Sequence, residues 1–245
     1  MKNPDKDPFS LELNWKITIF TILLLPLLVS LGFWQLQRAD EKSTIQQLVA
    51  EQQALPPAEL TASTAAQMTP YRRVVFSGAP EAEHIWLLEN QLYQGRLGYH
   101  MIVPVALSAD TYVLVNCGWI SGAERRDQLP QIPALPEAAR FFGQIRQPSY
   151  NRFLRGEALD AGWPKRILQM DIAVMSQALG KPLLPWVIQL DETSPMAQTV
   201  HWPIVNMSAD KHLGYAAQWF LMAIALVILW VFANTNLGRR KKEVK

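Results

Sequence analysis

The chain has 245 residues, with 23 Lys and Arg against 21 Asp and Glu and a net charge of +2. That is long enough for one ordinary domain with membrane anchors and too short for two large soluble domains. Charge this balanced supplies no basic face for a phosphate backbone, so no nucleic-acid partner is expected, and a single cysteine, Cys117, excludes an intramolecular disulfide and any CxxC redox or zinc motif.

Mean hydropathy is near zero, but the apolar residues are unevenly spread. Ile17 to Phe33 carries no charge, and Trp15 and Trp34 flank it about 28 Å apart at 1.5 Å per residue, like interfacial anchors. Residues 15–35 are therefore read as a first transmembrane helix, preceded by a cytoplasmic N-terminus at 1–14. Pro26 removes a backbone hydrogen bond in mid-segment, a defect membrane helices tolerate. A signal peptide is the competing reading, but the run passes into WQLQRADEK and no small-x-small cleavage site follows. Asp5, Asp7 and Glu12 precede the run, unlike an acid-poor transit peptide, which points to a bacterial protein.

Residues 36–70 read as helix and linker. Arg38 to Gln53 is rich in helix formers and is stopped by Pro56-Pro57, and the Ala, Thr and Ser that follow to Gln67 suit a linker. Residues 71–211 read as a periplasmic β-rich domain, with short strand-like runs at 71–78, 84–90, 97–107, 111–120, 139–146, 166–171 and 185–190, separated by Gly, Pro and Asp. One helix interrupts them near Asp171 to Leu179, with Asp171 as N-cap and Gly180 as stop. Asn116-Cys117-Gly118-Trp119 reads as a strand ending in a tight turn, with Gly118 free to take a left-handed backbone. Residues 212–234 read as the second transmembrane helix, because Leu213 to Ala233 is free of charge. Residues 235–245 form a basic tail containing Arg239, Arg240, Lys241, Lys242 and Lys245, which the positive-inside rule places in the cytoplasm. The expected fold is an α+β membrane protein in which N- and C-terminal transmembrane helices flank a β-rich antiparallel sheet or partly closed barrel. Its expected location is a bacterial inner membrane, with both termini cytoplasmic.

His84, His100, His201 and His212 show no HExxH spacing, no GxSxG elbow surrounds a serine, and no glycine-rich loop precedes a helix. No catalytic residue is assigned and an enzyme is not expected; a membrane-tethered hydrolase stands only as a distant alternative. His84 and His100 fall in predicted strands and read as structural. His212, Tyr215 and Trp219 recur at i, i+3 and i+7 on one helical face. There a neutral imidazole can ligate iron and an aromatic ring can stack on a flat macrocycle, or all three simply anchor the helix at the interface. Arg38, one turn past Trp34, can pair with an acidic ligand group or snorkel to the headgroups.

Leu31-Gly32-Phe33-Trp34-Gln35-Leu36-Gln37-Arg38, with Glu41-Lys42 after it, resembles the first-span signature of the Surfeit locus protein 1 family of cytochrome c oxidase assembly factors. Tyr71 to Val74 with Gly78, Gly95 to Pro104, and Tyr112 to Trp119 resemble its further motifs in order. His212-Leu213-Gly214-Tyr215-Ala216-Ala217-Gln218-Trp219-Phe220 is similar to the opening of its second span. The resemblance implies an assembly factor that helps insert haem a into the oxidase catalytic subunit, with His212 as the haem-iron ligand and Trp219 as the accompanying aromatic. Tyr215, Arg38 and Trp34 complete the candidate cofactor site. Implied partners are the cytochrome c oxidase catalytic subunit, a haem a-synthesising membrane enzyme and the lipid bilayer. The alternative is a cofactor-free scaffold for an oxidase subunit intermediate. Two positions depart from the family pattern: Cys117 stands where many members have arginine, and Asp210-Lys211 where many have an Asn-Asn pair before the histidine.

Overall fold

The first helix, α1 (Trp15–Ala54), runs unbroken through Pro26 and past the apolar run into the segment rich in helix formers, ending just before Pro56-Pro57. The computed structural model describes residues 13–123, 125, 128–148, 160–203 and 207–235. The basic tail from Arg239, which sets the expected orientation, lies outside them. The chain forms two compact units, Met1–Gln47 with Val205–Lys245, and Leu48–Ile204.

The first unit pairs α1 with the last helix, named α3 below (Ala209–Asn234). Both are long and apolar enough to cross a membrane, and most of their large apolar side chains are exposed, as on a lipid-facing surface rather than in a soluble core. They run antiparallel. Asn14 N donates to Asn234 Oδ1 at 2.5 Å, Trp230 Nε1 donates to Thr18 Oγ1 at 3.0 Å, and Gln35 Oε1 lies 2.8 Å from His212 Nδ1. One row of sheltered positions runs along α1 at Thr18, Thr21, Leu25, Leu28, Gly32, Gln35 and Ala39, with Leu24, Val29 and Leu31 sheltered beside it, and another along α3 at His212, Ala216, Trp219, Ala223, Leu226 and Trp230, with Phe220, Val231 and Asn234 beside it. Both rows step by alternating threes and fours, the 3.5-residue repeat of a coiled-coil seam. At Gly32 a Cβ would stand 2.6 Å from Phe220, so only glycine lets that ring lie against the α1 backbone, while Phe33 meets the same ring edge-on at 5.4 Å.

The second unit contains eight strands: β1 (Ala58–Glu59), β2 (Arg73–Pro80), β3 (Trp86–Tyr93), β4 (Arg96–Ser108), β5 (Thr111–Ser121), β6 (Ala139–Arg146), β7 (Lys165–Ile167) and β8 (Leu183–Leu190). The seven predicted strand runs correspond to β2 to β8. In the order β2-β6-β8-β5-β4 the sheet closes on itself, because the end of β2 pairs with β4 at Ala79↔Ala106 and Pro80↔Val105. The result is a five-strand barrel, with β3 and β7 continuing outward from β4 and β1 lying beside β2. The pairings β1–β2, β3–β7 and β5–β8 are parallel and the others antiparallel.

Period-two alternation fills the barrel. Val74, Phe76, Met101, Val103, Val105, Val113, Val115, Cys117, Phe141, Ile145, Ile188 and Leu190 point inward and are at most 2% exposed. On the outer face α2 (Ile172–Leu179) buries Met175 and Leu179 against Trp86, Ile102, Leu114, Ile167 and Val187. Its ends match the expected signals. The Asp171 carboxylate accepts from Ala173 N and Val174 N, and Gly180 takes a left-handed φ of 70° while its N–H returns to Ser176 O and Gln177 O. The Ala/Thr/Ser stretch before β2 is more structured than its composition suggests. It supplies β1, and Leu60 and Ala65 join the barrel core.

Candidate functional site

α3 begins at Ala209 after Ser208, with Asp210 in its first turn at the positive end of the helix dipole. His212, one residue pair later, presents a half-buried ring. At 100° per residue His212, Tyr215 and Trp219 fall within an arc of about 60°, so the helix places them on one flank. Tyr215 is 43% exposed, whereas Trp219 is sheltered and in phase with the seam. Tyr215 is therefore the open aromatic of the set and Trp219 the packed one.

On α1, Trp34 is 47% exposed. The Arg38 guanidinium lies 5.7 Å from its ring centroid and binds Glu41 Oε2 at 2.7 Å. The structure thus pairs Trp34 with Arg38 and aligns His212, Tyr215 and Trp219. Neither Trp34 nor Arg38 makes a hydrogen bond to α3 among the described residues. At this end the hydrogen-bonded link between the two helices is Gln35, to which the sequence pattern assigned no role although it stands inside the quoted first-span motif. The available signal was an uncharged polar side chain at the end of an apolar run, where a buried amide needs a partner. Phe220, seated on Gly32, was missed for the opposite reason: an apolar ring in an apolar helix carries no contrast. The Asp210-Lys211 departure does not reach the imidazole, whose hydrogen-bond partner comes from α1 instead.

No group of three or more His, Cys, Asp and Glu able to hold a metal ion occurs among the described residues. The other histidines sit elsewhere. His100, on β4, has Nδ1 3.4 Å from Asn116 Nδ2 and Trp202 edge-on at 5.3 Å, and burial lowers its pKa to about 4. His84 precedes β3 rather than lying in it, between Glu81 at 3.6 Å and the Trp163 ring at 4.9 Å. His201 faces Tyr93. Cys117 is wholly buried inside the barrel, where burial pushes its thiol well above the ordinary range and leaves it unreactive.

The expected strand end at Asn116–Trp119 is instead a distortion within β5, which continues to Ser121. Gly118 has φ 110°, and a Cβ there would meet Thr199 O at 2.7 Å. The close approach lets Gln198 N donate to Cys117 O and Trp119 N to Thr199 O. Trp119 then turns its Nε1 to Gln91 O at 3.0 Å. The glycine serves a bulge rather than a turn.

A closed five-strand barrel inserted between two helices long enough to cross a membrane, with a histidine at the start of the second, defines a barrel protein with two candidate spans. The family model described as the SURF1 family matches residues 22–224, an interval that contains every motif quoted above from Leu31 to Phe220. Among curated relatives, a SURF1-like protein of Rickettsia felis is 23% identical, with 91% of this chain and 98% of the relative covered. One of Dictyostelium discoideum is 32% identical over 82% of this chain and 89% of its own. A third, of Rickettsia conorii, is 24% identical over 88% and 90%. The chain belongs to the SURF1 family.

Proposed function

We propose that this chain is a non-enzymatic assembly factor for a haem-copper cytochrome c oxidase, holding haem a transiently at His212 on its way to the catalytic subunit. It spans a bacterial inner membrane twice with residues 36–211 on the periplasmic side. A haem a-synthesising membrane enzyme supplies the cofactor. Membership of a family whose motifs read as those of oxidase assembly factors supports the general role. The observation that carries the specific one is the imidazole of His212. It sits at the end of an apolar helix, with one ring nitrogen engaged by Gln35, no partner on Nε2 among the described residues, and the exposed ring of Tyr215 on the same flank.

These residues fit haem. Bound there, haem supplies an iron that a neutral imidazole ligates, a flat apolar face and acidic propionates. His212 offers the imidazole and Tyr215 an open ring for stacking. Trp219 stiffens the helix behind them by packing in the seam. Arg38 is already paired with Glu41, but both partners are more than 40% exposed. Exposed pairs of this kind contribute about 0–1 kcal/mol, so the guanidinium can exchange Glu41 for a propionate at little cost. An open site at His212 would also suit delivery, since a carrier must release its cargo faster than a permanent haem protein does.

A scaffold that stabilises an oxidase subunit intermediate without any cofactor is the second reading. The Arg38–Glu41 pair and the sheltered Trp219 favour it, because neither needs a ligand to be satisfied. Purification of the full chain from cells that make haem a separates the two. The carrier reading predicts a haem a spectrum in the purified fraction. Recovery of the oxidase catalytic subunit with no haem band would replace it with the scaffold.

A further inference from the structure

We infer that Gln35 is a positioning residue for His212: its amide oxygen holds the imidazole proton on Nδ1 and thereby leaves the Nε2 lone pair free for a metal. The tautomer assignment stands on the geometry alone. Its use for iron rests on the reading of His212 as the haem ligand.

A carbonyl oxygen only accepts hydrogen bonds, so the 2.8 Å contact between Gln35 Oε1 and His212 Nδ1 requires an N–H on Nδ1. A neutral imidazole carries one such proton, and Nε2 is then the lone-pair nitrogen. The two side chains come from different helices, so their meeting depends on the register of α1 against α3. That register is set by contacts along the seam. Phe220 lies on the bare backbone of Gly32 one turn below Gln35, while Trp230–Thr18 and Asn234–Asn14 close the far end. Freed from Gln35, the ring can move its proton to Nε2, the atom that would have to face the metal.

The choice of an amide also matters. Partners of a ligating histidine's second nitrogen raise its basicity, a carboxylate more than a neutral oxygen. An amide orients the ring while leaving it a moderate ligand, which suits transfer better than retention. Glutamate at the same position would keep the acceptor and strengthen the ligand.

The test uses the full chain in detergent, labelled with 15N-histidine and free of haem. Nitrogen chemical shifts and two-bond couplings report which ring nitrogen is protonated, and H212A identifies the His212 signals among the four histidines. The wild type is expected to show Nδ1–H with an unprotonated Nε2. Q35L should shift protonation toward Nε2, and Q35E should restore the wild-type pattern, which separates loss of the acceptor from loss of the fold. In haemin titrations of the same proteins, Q35L should weaken binding about tenfold to a hundredfold, the range seen for such partners, while Q35E binds at least as tightly as wild type. A proton on Nε2 in the wild type, or a Q35L spectrum identical to it, overturns the inference. Haemin binding lost in H212A but unchanged in Q35L also overturns it while sparing the ligand reading. Haemin binding unchanged in H212A sinks the ligand reading instead, and the nitrogen spectra still decide the tautomer.

Discussion

Among the described residues, His100 and His212 are the two histidines whose ring nitrogens have side-chain amide partners, and their surroundings give them opposite uses. The Asn116 side chain sends its Oδ1 to Gly118 N at 3.1 Å, so Nδ2 faces His100 Nδ1 and donates to it. Nε2 of His100 then carries the proton, and the ring is a neutral structural group rather than a ligand. Burial lowers its pKa from 6.5 to about 4. Above pH 6.5 the ring is neutral whether the chain is folded or not, and its contribution to stability is complete. Between pH 6.5 and 4 only the unfolded chain takes up the proton, so stability falls by roughly 3 kcal/mol across that window and by no more from this group below it. Chemical denaturation of the full chain at pH 7 and pH 4.5 should show this loss, and H100Q should reduce it. An unchanged pH dependence in H100Q would contradict the assignment. From the sequence His100 was readable as structural because it fell in a strand. The Gln35–His212 pair was not readable, since 177 residues separate its members and no local pattern links them.

Helices and strands were legible to the extent that their signals are local. The caps of α2 follow from Asp171 and Gly180, and β2 to β8 from alternation between turn residues. β1 has only two residues, Ala58 and Glu59, too few to alternate. Barrel closure depends on two residue pairs between the ends of β2 and β4, and no sequence period encodes them. The bulge in β5 reads as a turn because glycine is what both require. It is settled by the Thr199 backbone far along the chain. Gly118→Ala should therefore cost about 1–3 kcal/mol, through positive φ and the clash with Thr199 O, measured as a lowered denaturation midpoint. An unchanged midpoint would mean the bulge is not strained by a side chain. The helix seam was hidden differently. Its 3.5-residue repeat in α1 is built from Thr18, Thr21, Leu25, Leu28, Gly32, Gln35 and Ala39, which do not stand out in a wholly apolar background. Gly32→Leu should push Phe220 off the helix and destabilise the pair by about 1–3 kcal/mol. Adding Phe220→Ala should recover part of the loss. A simple sum of the two single effects would show that the residues do not share a contact.

For the whole molecule, the two long apolar helices and the β-rich domain between them were foreseeable because each has its own compositional regime: charge-free runs of membrane length at the ends, and short alternating segments between them. The candidate site was half legible. Tyr215 and Trp219 follow from helical spacing with His212, but spacing could not tell that one ring is open and the other packed, nor that Arg38 is held by Glu41. The proposed topology has a direct consequence at this scale. Native Cys117 is buried and silent to reagents, so a cysteine introduced at exposed Asp110, in the β4–β5 turn, is the only one that reports. A membrane-impermeant maleimide should label D110C in intact spheroplasts. Labelling only after lysis would place the barrel on the opposite side. The proposed hold of His212 on haem a is read most directly from the reduced-minus-oxidised absorbance spectrum of the detergent-extracted chain from cells that make haem a. Wild-type protein is predicted to carry the haem a bands and H212A to lose most of them at equal yield. Equal bands in both would show that His212 does not hold the haem, and none in the wild type would show that the chain carries none.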